Sequence, residues 1–259
     1  MANEKPRLKA FLMQDNLYFI GSEAVSVHLL DTEDGLVLID SGYPSMYELI
    51  VANIRALGFR PEDIVAIIHS HGHIDHYGTT RELVALSGAR TYISAIDNEI
   101  VNGTLDLSWA RELKVERIPP FNSDVLLSDG DVLSFGKTSI RCVHTPGHTA
   151  GVMSFIITLP SGVVAAMHGG IGTNTLRSAF LLEYGLPFTC RDELIASCEK
   201  LKSERVDLVI GNHPDQSDTV EKMVKRENGE EILDREEWGR LLSFVISWVN
   251  DLEKSDPRK

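Results

Sequence analysis

The stretch His69–Gly78 reads HSHGHIDHYG and carries four histidines and an aspartate within eight residues. The whole chain of 259 residues has only nine histidines, so this segment holds nearly half of them. The run just before it, IVAIIH, is continuously apolar, which is typical of a strand buried on both faces. The histidines therefore lie at the carboxyl end of a predicted buried strand, where the functional sites of α/β sheets collect.

The spacing of these side chains favours a metal-binding loop. Residues one and two apart do not face each other on a helix, and the HExxH pattern of zinc-protease helices is absent. Imidazole and carboxylate are suitable zinc ligands, and one catalytic zinc needs only three of them. The segment offers four candidates, His71, His73, Asp75 and His76. We therefore predict two zinc ions per chain, with solvated surface histidines as the alternative.

The remaining histidines divide into candidate ligands and supporting residues. His148 in HTPGHTAG and His213 in IGNHPD both follow predicted strands and complete the candidate ligand set. His28 is expected to be a hydrogen-bonded core residue, and His144 a structural one. His69 alternates with the first candidate ligand along the strand, so we expect it to support the site without binding metal.

The composition of the chain limits the classes of partner that it can bind. The formal net charge is −13, with 43% hydrophobic and 24% charged residues. Such a chain would repel phosphate backbones and anionic membrane surfaces, so we predict a globular protein with no nucleic-acid or membrane partner. The partner expected from the metal-binding loop is a small-molecule substrate. The sequence gives no indication of oligomeric state. The three cysteines have no CxxC spacing and are expected to be reduced.

No apolar run has the length of a signal peptide or a membrane span, so we expect a cytoplasmic location unless a leader has been removed. Along the chain, β-rich segments precede helical ones twice. The first 40 residues are β-rich and a helix is predicted at 46–57; a second β-rich block at 125–143 leads to helices at 191–202 and 235–252. A helix at 80–87 and a strand ARTYISA are predicted between the first helix and the second β-rich block. The pattern predicts one domain over 1–259, made of two α/β halves with packed sheets and outer helices.

The motifs HSHGHIDH, TPGHT and GNHP, in this order, resemble the metallo-β-lactamase superfamily over about 17–214. The segments LVLIDSG, GFRPEDI and DGDVLSFG are most similar to the third subclass of metallo-β-lactamases. The resemblance implies a four-layer αββα sandwich of the α/β (α+β) class. It also implies two zinc sites, one formed by His71, His73 and His148 and the other by Asp75, His76 and His213. Asp40 would orient the metal loop, with capping of the following turn as the alternative.

The implied activity is hydrolysis. Zinc held by neutral imidazoles lowers the pKa of a bound water toward 7, so a metal-bound hydroxide would attack a β-lactam or a similar strained amide. Asp75 would act as the catalytic residue by orienting this hydroxide and moving its proton. With a β-lactam as substrate the protein would contribute to antibiotic resistance, although the missing export signal argues against that role.

One departure from the superfamily bears on the substrate. Lactonases and thioesterases of this kind usually carry a metal-bridging aspartate after the strand that follows PGHT, and here GVVAAM is followed by His168. This favours a β-lactamase-like site. A cytosolic lactonase, thioesterase or esterase remains the alternative, and a non-hydrolytic metal-dependent binding module the second. We expect His168 to hydrogen-bond to a ligand or to substrate, and the segment 169–188 to shape the pocket.

Overall fold

A computed structural model describes residues 7–258 of the protein, and two β-sheets form the framework of this range. The first sheet has seven strands in chain order: β1 Phe11–Gln14, β2 Leu17–Phe19, β3 His28–Thr32, β4 Gly35–Ile39, β5 Ile64–Ile68, β6 Arg90–Ser94 and β7 Val125–Leu127. The second has five: β8 Val132–Phe135, β9 Thr138–His144, β10 Met153–Thr158, β11 Val164–Met167 and β12 Leu208–Val209. Its spatial order is β12-β11-β10-β9-β8.

The helices connect and cover these sheets. Those within the described range are α1 Tyr47–Ala56, α2 Ile74–Tyr77, α3 Thr80–Ser87, α4 Ala95–Val101, α5 Ala110–Leu113, α6 Ser178–Tyr184, α7 Cys190–Leu201, α8 Thr219–Glu227 and α9 Glu237–Ser255. Strands β1 to β4 are antiparallel neighbours, whereas β4 to β7 run parallel. Parallel strands need crossover connections, and α1 and α3 occupy two of them. None of the described helices combines the length and apolarity that a bilayer crossing requires.

The side chains of β4 show how the layers arise. Val37 and Ile39 point into a core shared by both sheets, where they join Phe155 and Met167 of the second sheet. Leu36 and Leu38 point the other way, into a core with α1 and α3. A further core lies between the outer face of the second sheet and helices α7 and α9. The four-layer αββα sandwich predicted from the motifs is therefore confirmed.

The sequence pattern located the long helices and missed the short ones. Helix α3 spans the predicted 80–87, and α1, α7 and α9 lie within three residues of their predicted bounds. Helices α4, α5 and α6 have four to seven residues, too few for a clear apolar period. Helix α8 buries only Thr219, Lys222 and Met223, so its apolar face is too small to read.

Candidate metal centre

Loops from both sheets bring three imidazoles together. His71 and His73 follow β5, and His148 lies in the loop between β9 and β10. The Nε2 atoms of His71 and His148 each lie 3.0 Å from Nδ1 of His73. These three residues, the first triad, offer ligand atoms that all lie within 4.8 Å of one another.

A second triad stands beside the first. Asp75 and His76 lie on α2, and His213 follows β12. Asp75 Oδ2 is 3.4 Å from Nε2 of His76 and 3.6 Å from Nε2 of His213. The rings of His71 and His76 have centroids 4.2 Å apart, so the two triads are neighbours. The structure thus contains two candidate metal sites, and it assembles them from the six residues that the sequence singled out.

Hydrogen bonds on the far side of each ring determine which nitrogen faces the centre. Nδ1 of His148 donates to the carbonyl oxygen of Gly172 at 2.7 Å, and Nδ1 of His213 donates to that of Ala24 at 2.8 Å. A neutral imidazole that donates through Nδ1 carries its lone pair on Nε2. These lone pairs therefore point into the triads, and such outer partners are how metal-binding histidines are oriented.

The electrostatics of the first triad suit a cation. Burial lowers the pKa of His71 and His73 well below the usual range, and the neighbouring imidazoles lower it further. Burial likewise lowers the pKa of His148 to about 4. Neutral rings with converging lone pairs, together with the Asp75 carboxylate in the second triad, are a donor set that fits zinc. The residues present therefore fit the metal that the motifs imply.

Asp40 supports the ligand loop from beneath. Its Oδ1 accepts from the backbone N–H of Ser70 at 2.7 Å, and its Oδ2 accepts from Ser70 Oγ at 2.9 Å and from His76 Nδ1 at 2.8 Å. Burial would raise the pKa of this carboxyl, but His76 and the Ser70 donors lower it overall. Asp40 therefore orients a candidate ligand and its loop, which was the first of the two roles predicted for it.

Asp97 is a supporting residue that the sequence did not reveal. Its Oδ2 accepts from the backbone N–H of Gly72 at 2.8 Å and from Thr149 Oγ1 at 2.6 Å. Gly72 lies between two ligands and Thr149 follows a third, so one buried carboxylate joins the two ligand loops. In the structure Ser94 caps α4, and its Oγ accepts from the backbone N–H of Asp97 at 3.1 Å. In the sequence, Asp97 therefore looks like an ordinary acidic residue in the first turn of a helix.

Comparison with known proteins agrees with this geometry. The sequence model of the metallo-beta-lactamase superfamily matches residues 20–166, which is more than half of the chain. The chain belongs to the metallo-beta-lactamase superfamily. Solved structures with a similar fold include a subclass B3 member. As a member of the superfamily, the chain is a hydrolytic enzyme.

Two solved structures and one curated relative illustrate the likeness. A motif mutant of the metallo-beta-lactamase from Cronobacter sakazakii is 27% identical, with a TM-score of 0.84 and coverage of 96% of this chain and 98% of that one. A subclass B3 metallo-beta-lactamase of Bradyrhizobium japonicum is 24% identical, with a TM-score of 0.82 and coverage of 97% and 94%, a likeness of fold. An N-acyl homoserine lactonase of Bacillus cereus is 28% identical over 161 residues, which cover 53% of this chain and 60% of the lactonase. Matches to curated relatives span between 35% and 82% of their lengths.

His168, at the position where lactonases of the superfamily usually carry the bridging aspartate, is turned away from the triads. It is buried, its Nδ1 accepts from the N–H of Gly170 at 3.3 Å, and its Nε2 lies 3.8 Å from Cys198 Sγ. Burial lowers its pKa to about 3. Among the described hydrogen bonds it has none to the six candidate ligands, so the predicted bond to a ligand is wrong, and the alternative bond to substrate stays a prediction.

The other histidines have the structural roles expected, with one correction. His69 bonds to the Tyr92 carbonyl through Nδ1 and to Thr80 Oγ1 through Nε2, and so anchors β5 before the ligands. His144 bonds to a backbone carbonyl in the next loop. His28 is fully buried as expected, but neither of its nitrogens has a hydrogen-bond partner within the described residues, so the predicted hydrogen bond is absent there.

An aromatic wall borders the centre. The ring of Trp109 lies 5.6 Å from His73, that of Phe180 lies 4.7 Å from Trp109, and that of Tyr184 lies 4.4 Å from Phe180. Trp109 has a φ of +63°, a conformation that costs a bulky residue free energy and occurs most often at functional sites. The wall borders a cleft over both triads, and Thr173 of the segment 169–188 is among its lining residues. The expectation that this segment shapes the pocket is therefore confirmed.

Proposed function

We propose that this superfamily member holds two zinc ions, one in each triad, and opens a β-lactam or a similarly strained amide. The observation that carries the proposal is the pair of adjacent triads with His168 turned toward Cys198, so that no carboxylate stands where lactonases have a bridging one. Two separate triads match the sites of β-lactamase type that the motifs suggest. If the substrate is a β-lactam antibiotic, the activity would confer resistance.

When bound, zinc supplies a Lewis acid for the carbonyl oxygen and lowers the pKa of a water molecule toward 7. The chain's part is to fix the geometry. His71, His73 and His148 would hold one ion, and Asp75, His76 and His213 the other. The carbonyls of Gly172 and Ala24 and the carboxylate of Asp40 keep three of these imidazoles in the tautomer that presents Nε2.

Asp75 would also handle the proton. Its Oδ2 faces the two histidines of its triad, while its Oδ1 is buried without a hydrogen-bond partner in the described range. A free carboxylate oxygen at this position can accept the proton of the attacking water and return it to the leaving nitrogen. Thr173 and Asn174 on the rim of the cleft offer a hydroxyl and an amide that can orient a polar substituent of the substrate.

A lactone is the second candidate substrate. The observation in its favour is the sequence similarity to proteins named N-acyl homoserine lactonases, at 27% to 28% identity. A lactone carbonyl needs the same polarisation and the same attacking water, so both activities can share the six ligands. The missing bridging carboxylate supports the lactam.

The test is a substrate panel with metal analysis. Penicillins, cephalosporins, carbapenems, lactones and thioesters are incubated with the zinc-loaded protein, and ring opening is followed with and without a chelator. Chelator-sensitive opening of a lactam, at about two zinc equivalents per chain and without an acylated protein in the mass spectrum, supports the proposal. Turnover of lactones alone would transfer the function to the second candidate, and trace metal after loading would refute both.

A further inference from the structure

A second cavity adjoins the metal cleft. His73, His148 and Thr175 line both spaces, so the cavity begins at the first triad. Most of its other walls are hydrocarbon, contributed by α4, by the segment after it and by α6 with the loop that follows. These side chains include Ile96, Ile100, Leu105, Leu107, Leu181 and Leu186. We call this space the apolar cavity.

The charges of the apolar cavity exclude an anionic occupant. Its lining, all within the described residues, includes neither lysine nor arginine. Its two carboxylates are Asp97, which already accepts from Gly72 and Thr149, and Glu193 at the start of α7. An anion would be repelled by these groups and would lose its hydration, whereas an uncharged hydrocarbon gains by leaving water.

The mouth of the cavity is apolar as well. Ile96 and Leu105 line it with 44% and 39% of their surfaces exposed. Apolar side chains grouped around a concave opening are typical of a site for an apolar ligand. Phe180 lines the apolar cavity and Trp109 lines the metal cleft, and their rings lie 4.7 Å apart. A substituent on a carbonyl held at the first triad would therefore be guided along the aromatic wall into the cavity.

We propose that the apolar cavity is the specificity pocket of the enzyme and receives an uncharged hydrocarbon group, alkyl or aryl, attached next to the carbonyl that is hydrolysed. This rests on the proposed hydrolase function and adds to it the chemical class of the substituent. Substrates with a negatively charged group in this position are discriminated against.

The test begins with one hydrolysable ring carrying an acyl chain of increasing length, from two to twelve carbons. Each methylene that enters the cavity should raise kcat/KM about fourfold until the space is filled, given the free energy of burying one such group. A matched chain that ends in a carboxylate should lose this gain. A kcat/KM that is flat with chain length, or equal for both chain ends, would overturn the proposal.

A pair of variants locates the effect. Leu105→Trp places a large ring in the mouth of the cavity at a half-exposed position that tolerates size. Leu182→Trp makes the same replacement one residue beyond the lining, at a side chain that is 61% exposed. The first variant should abolish the chain-length gain, and the second should keep it. Equal behaviour of the two variants would contradict the assignment.

Binding of plain alkanols separates this proposal from the hydrolase function. Hexanol to decanol should bind the zinc-loaded protein with one saturable site in calorimetry, more tightly with length, and Leu105→Trp should remove the site. Alkanol binding without turnover of any ring would sustain the pocket and refute the proposed reaction. Turnover that is indifferent to chain length, with no alkanol site, would sustain the reaction and refute the pocket.

Discussion

Asp40 at the end of β4 and His76 on α2 share a hydrogen bond of 2.8 Å, and the carboxylate is completely buried. In Asp40→Asn the amide group can accept through one oxygen only, so either His76 or Ser70 loses its partner. We expect the affinity for the second metal equivalent to fall by about 10–100-fold, the scale of lost outer partners of metal ligands. Competition with a calibrated zinc chelator measures it.

The control for this prediction is Asp31→Asn, which makes the same replacement at an exposed carboxylate of the same sheet. It should leave both metal equivalents unchanged. If Asp40→Asn binds zinc as the parent protein does, the carboxylate is not needed to orient His76.

Asp75→Asn separates metal binding from proton transfer. The amide cannot take up the proton of the attacking water, so turnover should fall by roughly 10²–10⁴. The first triad does not include Asp75, so one metal equivalent should stay tightly bound. Stopped-flow kinetics and elemental analysis of the same sample provide the two measurements. Full activity of the variant would exclude the proton-transfer role.

His168→Ala should leave the metal content near two equivalents, because the imidazole contacts Gly170 and Cys198. Its loss removes a buried side chain, so the free energy of unfolding should fall by about 1–3 kcal/mol. Turnover should change by less than about tenfold, below the usual effect of a group that bonds to a ligand. His148→Ala is the contrasting variant and should lose one equivalent. Loss of zinc from His168→Ala itself would make His168 a ligand.

His28 predicts a specific pH dependence of stability. Burial lowers its folded-state pKa from 6.5 to about 4. Below pH 6.5 His28 becomes protonated in the unfolded chain but stays neutral in the folded protein. The free energy of unfolding therefore decreases progressively down to pH 4. The total is about 3 kcal/mol, at about 1.4 kcal/mol per pH unit.

The variant His28→Leu lacks the pH-dependent loss of stability that His28 causes. Its free energy of unfolding relative to the parent should therefore rise by about 3 kcal/mol between pH 7 and pH 4. Urea denaturation at matched metal content measures the difference, in which the titration of the other histidines cancels. Parallel pH curves for the two proteins would show that His28 is protonated without cost.

The sequence predicted the elements whose signal is local. The apolar run before His69 fixed a buried strand, and the six ligands could be chosen because their residue types and strand-end positions are themselves the signal. The four layers followed from the order of β-rich and helical segments. These features depend on periodicity and on residue chemistry, both of which are visible along a single chain.

Contacts between distant segments could not be predicted in this way. Asp97 meets Thr149 across 52 residues, and no spacing in the sequence connects them. The contact of His168 with Cys198 depends on how α7 packs on the second sheet, so the sequence could not reveal it. The apolar cavity likewise arises from isoleucines and leucines of three separate segments, each of which resembles an ordinary apolar residue in the sequence.

Each triad takes two members from the segment after β5 of the first sheet, which includes α2, and the third from a loop of the second sheet. Bound ions would therefore act as cross-links between the halves, and the protein's resistance to unfolding would depend on the zinc activity of its surroundings. At free zinc of 100 times the dissociation constant, each site adds about 2.7 kcal/mol. A core substitution far from the ligands would then be rescued by added zinc, whereas the same substitution in a chain lacking His148 and His213 would not.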